Sequence, residues 1–394
     1  MNDALFTKLQ NFRSSLNTKF LEREDVIDGV LASVITKQNC FLFGLPGTGK
    51  SELVREISNG FKGSEFFGYL LSPTTDPSEL FGPVAVSKLL KDEYVRDVKG
   101  YLPSANIAFL DELFRGSSAV LNSLLTILNE RTFNNGREVI QTPIQSVVAA
   151  TNSFPTEESL QAFCDRFLFR PTVEPLKKPT SRRLLDFWAL GIEERPCVVS
   201  KLSYADLTKL QEEATNIEAS EEFLDRFSQV FDLLSSRGIT ISDRRRVQIL
   251  RFMKAWALVQ GDDMIYAEHL HRSLIHIVYQ TTEDIPVIKE VLDQAVPTAE
   301  KMIASLKRAH NGILTEYHAI HGANSKSVSD LNGVVGKLRK QHADLQILEE
   351  KLDSLLEAKD CRITISARRD GVKLSQMVEQ SKQMIAQSIS DITL

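Results

Sequence analysis

Gly44-Leu45-Pro46-Gly47-Thr48-Gly49-Lys50-Ser51 decides how this chain is read. It matches GxxxxGK[ST] in full. It follows a short apolar run, Cys40–Phe43, and precedes a helical pattern beginning near Ser51. Strand, glycine-rich loop and helix, in that order, form the setting in which such a loop cradles phosphate. Glycines let the backbone wrap closely, and its N–H groups then point inward at an anion. Lys50 is placed to reach β- and γ-phosphates, and the Ser51 hydroxyl to ligate Mg2+.

Four further strand candidates share the first third with amphipathic helices: Phe66–Leu71, Ile107–Leu110, Val147–Ala150 and Arg166–Arg170. That alternation predicts an α/β fold with a parallel five-stranded sheet between helices. Two of these runs end in chemistry. Ile107–Leu110 leads into Asp111-Glu112, so a buried strand delivers two carboxylates. Asp111 is placed to hold Mg2+ through water, and Glu112 to polarise a water attacking the γ-phosphate. Val147–Ala150 leads through Thr151 to Asn152, which could orient that water. Two arginine clusters come later, Asp165-Arg166 and Ser242-Asp243-Arg244-Arg245-Arg246. Arginine can neutralise charge building on a γ-phosphate, in cis or in trans. Arg166 is one candidate; Arg244 is favoured in the second cluster, with Arg245 the alternative.

Local signals are equally direct. Asp76-Pro77-Ser78-Glu79 reads as an N-cap, a proline in the first turn and a carboxylate three residues after the cap. Ser117 caps a helix whose Val120, Leu121, Leu124, Leu125 and Leu128 share one face. Thr132–Val139 carries Asn134-Asn135-Gly136 and reads as a hairpin. Beyond Pro179 the pattern turns helical to about Pro297, with Pro171, Pro175 and Pro179 in a non-helical connection. Leu331, Leu338, Leu345 and Leu352 then recur by sevens, interrupted on the companion stripe by Gln341. A helical hairpin folded on itself or on the α domain is expected there, a partner-binding coiled coil being the alternative. Arg362–Arg368 alternates like a short strand. The domains are therefore 1–180, an α/β core; 181–297, an all-α lid; and 298–394, a helical extension.

Composition narrows the function. Of 394 residues, 42% are hydrophobic and 25% charged, which suits globular domains and excludes a mainly disordered chain. A net charge of −5 argues against constitutive binding to nucleic acid or anionic lipid. No apolar run approaches the roughly 20 residues of a membrane span, and no secretory leader opens the sequence, so a cytoplasmic protein is expected. Cys40, Cys164, Cys197 and Cys361 are scattered and read as reduced thiols.

Taken together, GLPGTGKS, SPTTDPSELFGP, IAFLDE, LNSLLTILNERTFNNG, VVAATN, DRF and SDRR resemble, in order and spacing, the MoxR family of AAA+ ATPases. The likeness covers roughly residues 15–280. The stretch DELFRGSSAVLNSLLTILNERTFNNG is similar to the RavA branch, while no counterpart of that branch's β-rich C-terminal module is seen. The resemblance implies an AAA+ P-loop core with a helical lid, acting as a Mg-ATP-hydrolysing motor in a ring, usually a hexamer. It makes Gly44–Ser51 the Walker A loop, Asp111 and Glu112 Walker B, Asn152 sensor 1, Arg166 the arginine finger and Arg244 sensor 2. It also implies a hairpin insert within Val84–Tyr101, and chaperone-like remodelling of a protein partner, often one with a von Willebrand factor A domain. Two other readings stay open: a nucleic-acid motor using Lys88, Lys91, Arg96 and Lys99, and a partner-dependent, chelatase-like ATPase subunit.

Overall fold

The computed structural model describes residues 3–152, 154, 155, 160, 163–189, 201–296, 299–321, 328–357 and 365–393. They divide into two compact units, Met1–Ile265 with Arg272–Val291, and Tyr266–His271 with Leu292–Leu394.

The first unit is built on a parallel sheet. Its strands are β1 (Cys40–Phe43), β3 (Phe66–Leu70), β4 (Ile107–Asp111) and β7 (Ser146–Thr151), in the order β1-β7-β4-β3. A tiny β2 (Phe61–Lys62) pairs outside it with Leu202–Ser203. β1 and β7 are buried along their whole length, the mark of strands covered on both faces. The fifth member lies beside β1. Phe41 N and Phe43 N donate to Phe169 O and Pro171 O at 2.8 and 3.0 Å, and Val173 N donates back to Phe43 O at 2.6 Å. This edge starts at Leu168, two residues later than the sequence suggested. Arg166 lies in the preceding turn. Pro171 is tolerated because an edge strand has one side without ladder bonds. Pro179 is not in a linker: it occupies the first turn of the helix Lys178–Ala189, where its missing N–H costs nothing.

Helices flank this sheet. α1 (Asp3–Lys19) buries Leu5, Leu9, Phe12 and Leu16 on one face, and α2 (Glu24–Thr36) buries Val26 through Ile35. Asp28 on α2 is fully buried. It takes a two-pronged grip from Arg13 of α1, with Nη2 at 2.8 Å, and a bond from Gln260 Nε2 at 3.0 Å. Gln260 ends the helix Asp243–Gln260. α3 (Lys50–Asn59) follows the phosphate-type loop. α4 (Pro77–Phe81) carries the expected capping box, with Ser78 N on Asp76 Oδ1 at 2.8 Å and Asp76 N on Glu79 Oε1 at 3.0 Å.

Residues 84–96 fold back on themselves through an antiparallel bridge between Val84 and Arg96, enclosing the short α5 (Val86–Leu89). α6 (Ser118–Glu130) is capped by Ser117, and the hairpin β5 (Thr132–Asn135) with β6 (Glu138–Gln141) follows. Asn135 pins the two protrusions together: its Oδ1 accepts from Arg96 N at 2.7 Å and its Nδ2 donates to Arg96 O at 3.0 Å.

The second unit is dominated by the helices Ala299–His321, Val328–Glu357 and Ile365–Thr393. Leu338, Leu345, Leu352, Leu374, Val378 and Ile385 form its core, so three of the four leucines in the stripe are spent inside the chain, the side chain of Leu331 lying outside what is described. Within Arg362–Arg368, residues from Ile365 onward are helical rather than extended, and 362–364 lie outside the described residues. The apolar spacing of Leu374, Val378 and Ile385 favours a helix, and a lone strand here would lack a partner edge. Cys197 and Cys361 also lie outside the described residues.

Candidate active site

β1, β4 and β7 are neighbours and parallel, so their carboxyl ends deliver side chains to one place. Gly44 begins the loop after β1. A Cβ there would sit 2.4 Å from the Val173 carbonyl oxygen, so no other residue fits. Gly49 enters α3 with φ of 81°, in the left-handed region that glycine adopts freely. Lys50 is only 7% exposed, and its Nζ donates to Gly44 O at 2.7 Å and Leu45 O at 2.9 Å. Burial lowers its pKa, against the pull of the Asp111 and Glu112 charges. The ammonium is thus held centrally in the loop, facing both carboxylates.

Asp111 closes β4, and its Oδ1 accepts from Glu112 N at 3.0 Å. Glu112 has φ of 50°, a left-handed conformation that costs a non-glycine residue on the order of 1 kcal/mol or more. Its reward is a contact from β7: Asn152 Nδ2 donates to Glu112 Oε1 at 2.7 Å. The structure therefore unites the Gly44–Ser51 loop, Lys50, Asp111, Glu112 and Asn152. Ser51 and Asp111 offer hard oxygen donors, which suits Mg2+. A buried ammonium ringed by loop backbone suits a polyphosphate.

Cavities lie on both sides of the loop. One, of about 420 Å3, is lined by Phe20, Leu21, Arg23, Pro46, Pro175 and Leu176, and its flat apolar walls suit a base. A latch holds these walls together. Arg23, 8% exposed, donates to Glu22 O at 2.8 Å and Glu174 O at 2.7 Å. The Glu22 carboxylate accepts from the Thr180 hydroxyl and from Lys177 N, and both bonds hold its pKa below the usual carboxylate range. The other cavity, of about 300 Å3, is lined by Phe43, Asn152, Phe154, Tyr279 and Ile285. Of these wall residues sequence reasoning found only Pro46 and Asn152, because Leu21-Glu22-Arg23 matches no motif and a left-handed Glu22 leaves no trace in composition.

The arginines sit elsewhere. Arg166 and Arg244 are exposed, while Arg245 is partly buried and donates to Asp165 O at 2.9 Å and Ile277 O at 3.3 Å. Burial first, then the charge of Arg170, pushes Arg245 down to about 10. Together with Lys37, Arg131 and Asp165 they line a polar cavity of about 500 Å3. Lys37 and Asn39 precede β1, whereas Lys50 follows it. The two sites are thus separated by at least the length of that strand, about 13 Å.

Residues 7–212 match the family described as the MoxR domain in the MoxR-vWA-beta-propeller ternary systems. The chain belongs to the MoxR family of AAA+ ATPases. Two uncharacterized proteins of Methanocaldococcus jannaschii are similar to it. One is 36% identical over 286 residues, covering 72% of this chain and 73% of that protein. The other is 37% identical over 257 residues, covering 65% and 67%. A solved structure from Cytophaga hutchinsonii, presented as a candidate ATPase, superposes with a TM-score of 0.60 at 17% identity, over 74% of this MoxR chain and 94% of its own. The fold is therefore AAA+. No helix among the described residues of the MoxR protein is long and apolar enough to cross a membrane.

Proposed function

We propose that this MoxR protein hydrolyses ATP at sites shared between neighbouring copies in a ring, and uses the cycle to remodel a protein partner. The observation that carries this reading is the placement of two half-sites at opposite ends of one sheet. Arg166, Arg244 and Arg245 cannot serve the Lys50 loop of their own chain across the length of β1. A head-to-tail contact brings one chain's carboxyl-end site against another chain's amino-end arginines, and such heterologous contacts close into rings. Six copies are the family's usual number.

In this scheme the loop N–H groups and Lys50 hold the phosphates, and Ser51 and Asp111 are the residues that would hold Mg2+. When bound, the ion would neutralise phosphate charge. Glu112 accepts the proton of the attacking water, and Asn152, bonded to Glu112, fixes the carboxylate's orientation. The neighbour's Arg166, with Arg244 or Arg245, neutralises charge at the γ-phosphate, an effect worth about 10³–10⁵ in rate. Residues 1–180, 181–297 and 298–394 then act as core, lid and helical extension.

The matching family's name supports a partner with a von Willebrand factor A domain, alongside a beta-propeller protein. The RavA likeness rests on residues 111–136 and is kept as a likeness of that stretch. Cytoplasmic action follows the family's habit. The nucleic-acid reading loses ground, since Lys88 is paired with Glu93 at 3.0 Å and Arg96 Nη1 is spent on Gly82 O at 2.7 Å. A partner-dependent, chelatase-like subunit differs only in needing that partner for turnover.

ATPase rate and particle mass, with and without Mg-ATP, test the proposal. Glu112→Gln should bind ATP, assemble and lose turnover, whereas Arg166→Ala should bind but not hydrolyse. A monomer that hydrolyses ATP regardless of Arg166→Ala sinks the shared site.

A further inference from the structure

Arg170 is the residue whose cost the fold alone does not explain. It is 1% exposed, at the edge strand beside β1. A guanidinium taken out of water costs several kcal/mol unless every donor is answered, and an apolar side chain of similar volume is commonly as stable or better. Among the described residues its acidic partner is Asp165, 54% exposed and 3.8 Å away.

Its bonds go instead to the segment 276–279. Arg170 Nη2 donates to Ile277 O at 2.8 Å and also to Tyr279 O. Its backbone N donates to His276 O at 2.7 Å, and Tyr279 Oη returns a bond to Arg170 O at 2.6 Å. The Tyr279 ring lies under the guanidinium, 4.7 Å from it. This is a rigid joint between the sheet edge and residues 276–279.

One of these acceptors, the Ile277 carbonyl, also serves Arg245. Its Nη2 shares the Ile277 carbonyl at 3.3 Å, and its Nη1 shares the Asp165 Oδ1 atom at 3.9 Å and bonds Asp165 O at 2.9 Å. Arg166 follows Asp165 directly. Whatever fixes Asp165 and Ile277 O therefore bears on Arg245 and on the turn that carries Arg166.

We propose that Arg170 is a positioning residue for hydrolysis in the neighbouring subunit. It holds the Ile277 carbonyl and lies within ion-pair distance of the Asp165 carboxylate, and so sets Arg245 and the turn that carries Arg166 for the neighbour's γ-phosphate. This inference rests on the shared-site reading above. It makes the effect of Arg170 directional: the residue matters more to turnover in the chain that lends arginines than in the chain that binds the reacting ATP, where it only backs Tyr279 in a wall beside the Lys50 loop.

Mixed assemblies test that direction. A Lys50→Ala chain lends arginines but binds no ATP, and an Arg166→Ala chain binds ATP but lends none, so mixing the two should restore turnover. Adding Arg170→Met to the lending chain should cut the restored rate about a hundredfold, the usual cost of misplacing a reacting group by an ångström. Adding it to the ATP-binding chain should cost the restored rate far less at saturating ATP, any loosening of Tyr279 there showing as weaker nucleotide affinity rather than slower turnover. Arg170→Lys in the lending chain, which keeps the charge and loses the fork, should recover part of the rate and covers the case in which the Met variant fails to fold. Equal losses in both placements, or none, overturn the role of Arg170. If the parent mixture restores nothing, the shared site itself falls, and this inference with it.

Discussion

The two ends of the central sheet are made differently. At the carboxyl end the functional groups follow the points where strands stop: Gly44 after β1 leads the loop into Lys50 and Ser51, Asp111 closes β4, and Asn152 comes just after β7. At the amino end the cations come from four separate places, Lys37, Arg131, Arg166 and the adjacent pair Arg244 and Arg245. The first arrangement is set by strand order and tolerates little change. The second is set by packing between a turn, a helix start and residues 276–279. One end can be read as motifs, and the other is seen only once the chain is folded.

Dilution gives the largest expected effect. If the two ends meet only between chains, turnover per chain should collapse by about 10³-fold or more below the assembly concentration, the scale of a missing arginine. Nucleotide binding at the Lys50 loop should survive in the separated chains. ATPase rate against protein concentration, beside titration of a fluorescent nucleotide, measures both. A dilute chain turning over at the undiluted rate would erase the distinction between the ends.

α2 is the element that touches both. It starts beside the base-side latch at Arg23 and leads, at its far end, to Lys37 in the arginine cavity. Its anchor is Asp28, wholly buried and held by Arg13 and Gln260. Removing one member of such a buried pair strands the other, at about 3–5 kcal/mol. Asp28→Ala should therefore lower unfolding stability in urea by that amount, and should weaken nucleotide binding and arginine lending together. A loss confined to one end would show that α2 does not join them.

The legible part of this protein was the part with local causes. Asp76-Pro77-Ser78-Glu79 announces its cap within four residues, and the capping box is present. The Gly44–Ser51 loop states its own geometry through Gly44 and Gly49. Arg166–Arg170 is the weakest of the strand candidates, since it contains two arginines. Its true start at Leu168 depends on bonds to Asn39 and Phe41, which lie over a hundred residues away. The base-side walls and the Glu22 latch are likewise contacts between residues 20–24 and 174–181, with no pattern in either stretch alone. The Arg362–Arg368 alternation misled because two-residue periodicity over seven residues is weaker than the helical spacing that follows it.

The smallest effect concerns a third region, the two protrusions at residues 84–96 and 132–141. Family likeness separates them into two hairpins, but Asn135 makes them one body by using both ends of its amide on the Arg96 backbone. Gly136 reinforces this, since a Cβ there would come within 2.3 Å of the Tyr94 carbonyl oxygen. Asn135 is 8% exposed, so its loss leaves a backbone N–H and a carbonyl poorly answered, at about 1–3 kcal/mol. Because the damage is local, Asn135→Ala should speed amide hydrogen exchange at Val84–Arg96 and in β5 and β6 while leaving the exchange of β1, β4 and β7 unchanged. It should also leave ATP binding at the Lys50 loop intact. If exchange in the 84–96 segment is unmoved, the two protrusions are held by something other than this amide, and they move as separate hairpins after all.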